Sequence, residues 1–156
     1  MTTPVICAVN GACVSGGLEI ALSCSFVIAA ESARFADTHA RLGVVATWGL
    51  TALLPRAVGI RYAARMSLTG EFVEAAEALR VGLVTEVVSN DYLVAHALRL
   101  ATQIPGGPAV TDLVQLVRQG ENLGLAAALD LETASSLTRA VDLDGFSAAG
   151  RSLSVS

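Results

Sequence analysis

The chain has 156 residues, of which 53% are hydrophobic, with ten basic against fourteen acidic side chains and a formal net charge of −4. That length supports one buried core, and an acidic balance with no basic stripe interleaved with aromatics argues against nucleic acid as a partner. The longest near-apolar run, 20–30, is too short to cross a bilayer and no charged leader precedes an apolar segment, so a cytoplasmic chain without membrane contact is expected.

In chain order, the apolar residues 4–9 predict a strand, followed by a turn to Gly17, a short helix to about Cys24 and a second strand over 26–30. Residues 32–37 read as a further short strand. Helices are expected over 48–58 and 60–67, then over 74–80 where Gly82 stops the last, and 83–88 is strand-like. From Asn90 the pattern turns helical, over 92–103, 109–121 and 125–141, with Pro105-Gly106-Gly107-Pro108 and a Gly120 to Gly124 joint as punctuation. Alternating strands and helices give an α/β fold class. The organisation that follows is a partial α/β core over 1–88, a helical region over 89–150 and a loose serine-rich tail over 151–156.

Cys7, Cys13 and Cys24 sit in apolar runs without C-x-x-C spacing, and their odd number fits a reducing compartment; buried small hydrophobes is the reading, with no metal site called for. His96 falls on an expected surface helix and receives no role. The helical segment carries apolar faces at Leu113, Leu116, Val117 and at Leu125, Leu129, Leu131, which must be buried within the subunit or against a partner.

The informative stretch is Asn10-Gly11-Ala12-Cys13-Val14-Ser15-Gly16-Gly17-Leu18-Glu19, between the first strand and the first helix. Adjacent glycines let a ligand approach the backbone closely, and the first N–H groups of a helix have no internal partner, so they can receive developing negative charge. Glu19 stands in the first helical turn as a candidate general acid or base.

This segment resembles the active-site region of the enoyl-CoA hydratase/isomerase (crotonase) superfamily. So, in the family's order, do Phe35-Ala36-Asp37-Thr38-His39-Ala40-Arg41-Leu42-Gly43, Leu54-Pro55-Arg56-Ala57-Val58-Gly59, Leu68-Thr69-Gly70 and Ala75-Ala76-Glu77-Ala78-Leu79-Arg80-Val81-Gly82-Leu83-Val84. The resemblance implies a crotonase-like ββα spiral, with Gly16 as an oxyanion-hole amide and Glu19 as one catalytic carboxylate. It also implies acyl-CoA as substrate without a separate cofactor, and carboxy-terminal helices that assemble subunits into trimers or hexamers. Family members carry an amino-terminal portion with the other oxyanion amide and the CoA nucleotide contacts, and the expectation is that this chain begins after it.

Two departures from the family pattern stand out. His39 occupies the place of the second carboxylate of many hydratases; neutral histidine offers one donor and one acceptor, so it can orient a water, or it can be a partly buried polar residue bonded to a neighbour. The other lies at Val44-Val45-Ala46-Thr47-Trp48-Gly49-Leu50, where relatives often have a proline and more glycines, and Trp48 there either fills the core, the favoured reading, or shapes an acyl pocket. The function expected is an enoyl-CoA hydratase-like lyase of fatty-acid metabolism, weak or inactive as this chain alone, with Glu19, His39 and Gly16 as site residues. The alternatives are an isomerase or an acyl-CoA hydrolase on the same fold, the latter using Ser15 with His39 and Asp37, or a non-catalytic remnant or assembly subunit.

Overall fold

The first four strands of this chain alternate between two sheets, and the fifth and sixth complete the second and the first. In the computed structural model, which describes residues 2–137, β1 (Ile6–Val9), β3 (Phe26–Ala30) and β6 (Glu86–Val88) form one parallel sheet in the order β1-β3-β6. β2 (Ala12–Val14), β4 (Arg34–Ala36) and β5 (Val73–Glu74) form the other, with β2 and β4 parallel and β5 antiparallel to β4. Helix α1 (Gly16–Leu22) leads from β2 back to the first sheet. The crossover between parallel neighbours requires such a connection. α/β class and spiral organisation therefore stand as the sequence implied.

β3 lies between two partners, and its last four residues are buried on both faces, which is why Val27-Ile28-Ala29-Ala30 reads as an unbroken apolar run. The ladder continues beyond the strand ends: Ser25 N–H donates to the Val5 carbonyl at 2.8 Å and Thr85 N–H to that of Val27 at 2.8 Å. Phe35, Leu18, Leu50, Leu54 and Met66 fill the space between these sheets and helices α2 (Leu50–Val58), α3 (Ile60–Thr69) and α4 (Ala75–Arg80). Gly59 (φ +80°) ends α2 and turns the chain into α3, while Gly82 (φ +83°) follows α4, where an added Cβ would sit 3.3 Å from the Ala57 carbonyl oxygen.

Helix α5 (Leu93–Gln103) packs on β1 and β3 through Leu93, which joins Ile28 and Ala30 in a second small core. Residues 3–110 make up one compact unit. Helices α6 (Pro108–Gly120) and α7 (Leu125–Leu137) lead into a second. There Leu113, Val117, Leu125 and Leu129 are exposed. The expected end of the last helix at 138–141 and the tail over 151–156 lie outside the described residues. No helix among the described residues is long and apolar enough to cross a membrane.

Three placements differ from expectation. The turn before Gly17 contains β2, hidden in the sequence because it is only three residues long within a glycine-rich stretch. Trp48 is not core: it is 67% exposed, because the chain turns at Gly49 (φ +105°) and delivers Leu50 to the buried position. His96 is not on the surface but 5% exposed, held by Glu86 Oε2 at 2.6 Å from its Nε2 and by the Arg99 guanidinium, which donates to Nδ1 at 3.0 Å. Of the cysteines, all free thiols, Cys13 is buried and Cys7 and Cys24 are half-buried.

Candidate active site

Ser15 closes β2 in an uncommon backbone conformation, φ 46° and ψ −107°, and is the one non-glycine residue with positive φ among the described residues. Its N–H donates to the Ala36 carbonyl at 2.9 Å, and its Oγ accepts from Thr38 N–H at 3.0 Å and pairs with Thr38 Oγ1 at 2.8 Å. These bonds hold the start of α1 against the end of β4. Strain of this kind persists only where the surroundings over-determine it. The conformation aims the amides that follow: the Gly16 N–H opens the helix and donates to no group among the described residues, as an anion-receiving amide requires.

One turn further on, Glu19 is 3% exposed and points inward. Its Oε1 accepts the Trp48 N–H at 2.8 Å and lies 3.4 Å from the Leu50 N–H donor. A buried carboxylate needs such donors. Its other oxygen, Oε2, stands 3.9 Å from His39 Nε2, too far for a direct hydrogen bond.

His39 follows β4, and Asp37 fixes its ring. Asp37 Oδ1 accepts the His39 N–H at 3.1 Å and lies 2.6 Å from Nδ1. With an acceptor on Nδ1, that nitrogen carries the proton of the neutral ring and Nε2 is left as the acceptor facing Glu19. Beyond His39, a short 3-10 helix (Ala40–Leu42) is tied down by Arg41 Nε, which donates to the Thr69 carbonyl at 2.8 Å.

Of the three residues singled out in the sequence, Glu19 and His39 come together, and Gly16 opens the same helix one turn before Glu19. Ser15 does not join them as a nucleophile, since its hydroxyl is engaged by Thr38 and makes no hydrogen bond to His39. Asp37 was named from the sequence only as a triad partner of Ser15 and His39; it supports His39 without Ser15, through an Asp side chain bonding the N–H two residues on, a recurrent local pattern that Asp37-Thr38-His39 displays. Reasoning from sequence missed Trp48 as the backbone donor to Glu19, for which the sequence carries no signal. Among the described residues no group of three metal-ligating side chains is gathered.

Two small sheets joined through α1 thus set a helix-start amide, unpaired among the described residues, one turn before a buried carboxyl group. The chain belongs to the enoyl-CoA hydratase/isomerase family, whose model matches residues 1–137. It is 40% identical over 131 residues to a probable enoyl-CoA hydratase of Rhizobium meliloti, covering 83% of this chain and 51% of that one. Among solved structures, an enoyl-CoA hydratase from Mycobacterium tuberculosis is 51% identical with a TM-score of 0.74, covering 88% of this chain and 63% of that one. A putative enoyl-CoA hydratase/isomerase from Mycobacterium abscessus is 32% identical with a TM-score of 0.86 over 98% of this chain and 60% of that one. The chain spans about half the length of the curated relatives it matches.

Proposed function

We propose that the chain carries enoyl-CoA hydratase chemistry, the addition of water to a 2-enoyl-CoA thioester in fatty-acid metabolism. The observation that carries this reading is the corner between Glu19 Oε2 and His39 Nε2, 3.9 Å apart. A water oxygen can sit there about 2.8 Å from each atom, bonded to both and poised to react.

In this scheme the water oxygen bonds to carbon 3 as the C2=C3 electrons move toward the thioester carbonyl, whose oxygen gathers enolate charge against the Gly16 N–H. A proton leaves the water for Glu19 or His39, and a proton is delivered to carbon 2, so that H and OH are added in total. Asp37 keeps Nε2 of His39 available for this exchange, which is how a histidine serves in place of a second carboxylate. Isomerisation would use the same amide and carboxylate; a corner shaped for water favours hydration.

The family resemblance further implies a second oxyanion amide and CoA contacts outside the matched half, so the 156-residue chain is expected to turn over weakly alone. Assembly into a trimer or hexamer and a cytoplasmic location complete the proposal. The test follows loss of the conjugated thioester's ultraviolet absorbance with a four-carbon 2-enoyl-CoA, in the chain and in a fusion to the unmatched half of the Rhizobium meliloti relative. Glu19→Gln is expected to lower kcat by on the order of 10² or more. Full rate in that variant would remove Glu19 from the chemistry.

A further inference from the structure

We infer that the indole of Trp48 forms a wall of the acyl site and favours 2-enoyl thioesters whose carbon 3 bears a flat aromatic or conjugated group. This rests on the hydratase reading for the position of the thioester.

An exposed apolar side chain is ordinarily unremarked. Trp48 differs because two contacts tie it to the reacting groups. Its N–H donates to Glu19 Oε1 at 2.8 Å, and its six-membered ring covers the Gly16 turn so closely that a Cβ built on Gly16 would meet Cζ3 at 3.5 Å and Cε3 at 4.0 Å. A thioester oxygen accepting the Gly16 N–H would lie about 2.9 Å from that nitrogen. On the hydratase reading, a group borne on carbon 3 would then be the part of the acyl chain that reaches toward the indole.

The ring is nevertheless 67% exposed, so the chain itself leaves most of its surface uncovered. Val44 and Val45, on the segment joining His39 to Trp48, are also exposed and extend the apolar surface. What suits an indole surface beside an enoyl carbon is another π system in offset or edge-on contact, which gains more than an alkyl chain of equal area. The donor to Glu19 belongs to the backbone, so a change of the Trp48 side chain alters the acyl wall while keeping the carboxylate's partner.

Trp48 is the single tryptophan of the chain, so its emission reports this contact alone. The experiment uses Glu19→Gln as background, which blocks turnover yet keeps a carbonyl oxygen for the Trp48 N–H. N-acetylcysteamine thioesters of a four-carbon enoyl acid, a ten-carbon enoyl acid and 3-phenylacrylic acid are titrated by calorimetry and by emission. The phenylacryloyl thioester is expected to bind most tightly and to quench or shift the emission. Trp48→Ala should weaken it about five- to tenfold, Trp48→Phe should retain most of the affinity, and the four-carbon thioester should change little in either.

Equal losses for all three thioesters in Trp48→Ala, or phenylacryloyl binding with unchanged emission, would overturn the inference, as would no binding of any thioester. Because these readouts need no turnover, they fail separately from the hydratase reading. That reading falls instead if Glu19→Gln hydrates at full rate.

Discussion

Ser15 offers the sharpest physical test of how the site is held, through paired substitutions to alanine and glycine. Ser15→Ala removes the acceptor of Thr38 N–H and the partner of Thr38 Oγ1, at 3.0 and 2.8 Å, and leaves a Cβ at φ 46°. Two hydrogen bonds at about 1 kcal/mol each put the loss near 2 kcal/mol. Ser15→Gly loses the same bonds but recovers backbone strain of order 1–3 kcal/mol, less about 0.5–1 kcal/mol for the freer unfolded chain. Glycine should therefore be the more stable replacement by roughly 1 kcal/mol, although it is the smaller residue. Urea unfolding followed by far-ultraviolet circular dichroism, with equal slopes for both variants, measures the difference. If alanine equals or exceeds glycine, the backbone at Ser15 is unstrained and the argument that it is forced into place to aim the Gly16 amide fails.

Three other outcomes are expected. Asp37→Asn disturbs the tautomer of His39 and should lower hydration kcat on the order of 10²-fold with little change in KM, measured in the fused protein; a normal kcat would show that His39 needs no orienting partner. Hydrogen bonds from Arg80 and then Tyr62 hold the Glu77 carboxyl down at about 2 against an ordinary 4.5. The unfolded chain therefore takes up that proton first, and the stabilising contribution, complete above 4.5, is lost as pH falls toward 2. Glu77→Gln should flatten the decline of the urea midpoint in that window, and an undiminished decline would contradict the assignment. Burial, with Cys24 and Cys13 as lesser neighbours, pushes the Cys7 thiol up to about 12, and burial pushes Cys13 up to about 11. Iodoacetamide at neutral pH should label both at least about tenfold more slowly in the folded chain than in denaturant, because the thiolate is the reactive form; equal rates read by peptide mass spectrometry would count against that burial.

Most strands and helices were legible because apolar runs and glycine stops are local signals, β2 and β5 being too short to leave one, and Gly16 and Glu19 were legible because they share one short motif. The 3.9 Å approach of His39 to Glu19 was not. Those residues are twenty positions apart and meet only because β2 pairs with β4, a non-local register that no window of sequence displays. Trp48 and His96 were misplaced for a related reason: size and polarity describe a side chain, whereas burial is decided by partners. Leu50 takes the buried position that Trp48 was expected to fill, and Glu86 with Arg99 satisfies both nitrogens of His96, making a buried imidazole affordable.

The pairing of Val14 with Ala36, clasped by Ser15 and Thr38, acts as a fixed ruler between the helix-start amide and the histidine. On the acyl-wall proposal for Trp48, acyl preference would instead lie in the irregular segment that ends there. The two can therefore vary independently: changes between Gly43 and Trp48 can retune which thioester is accepted while the reacting groups keep their spacing, provided the backbone amide at position 48 still reaches Glu19.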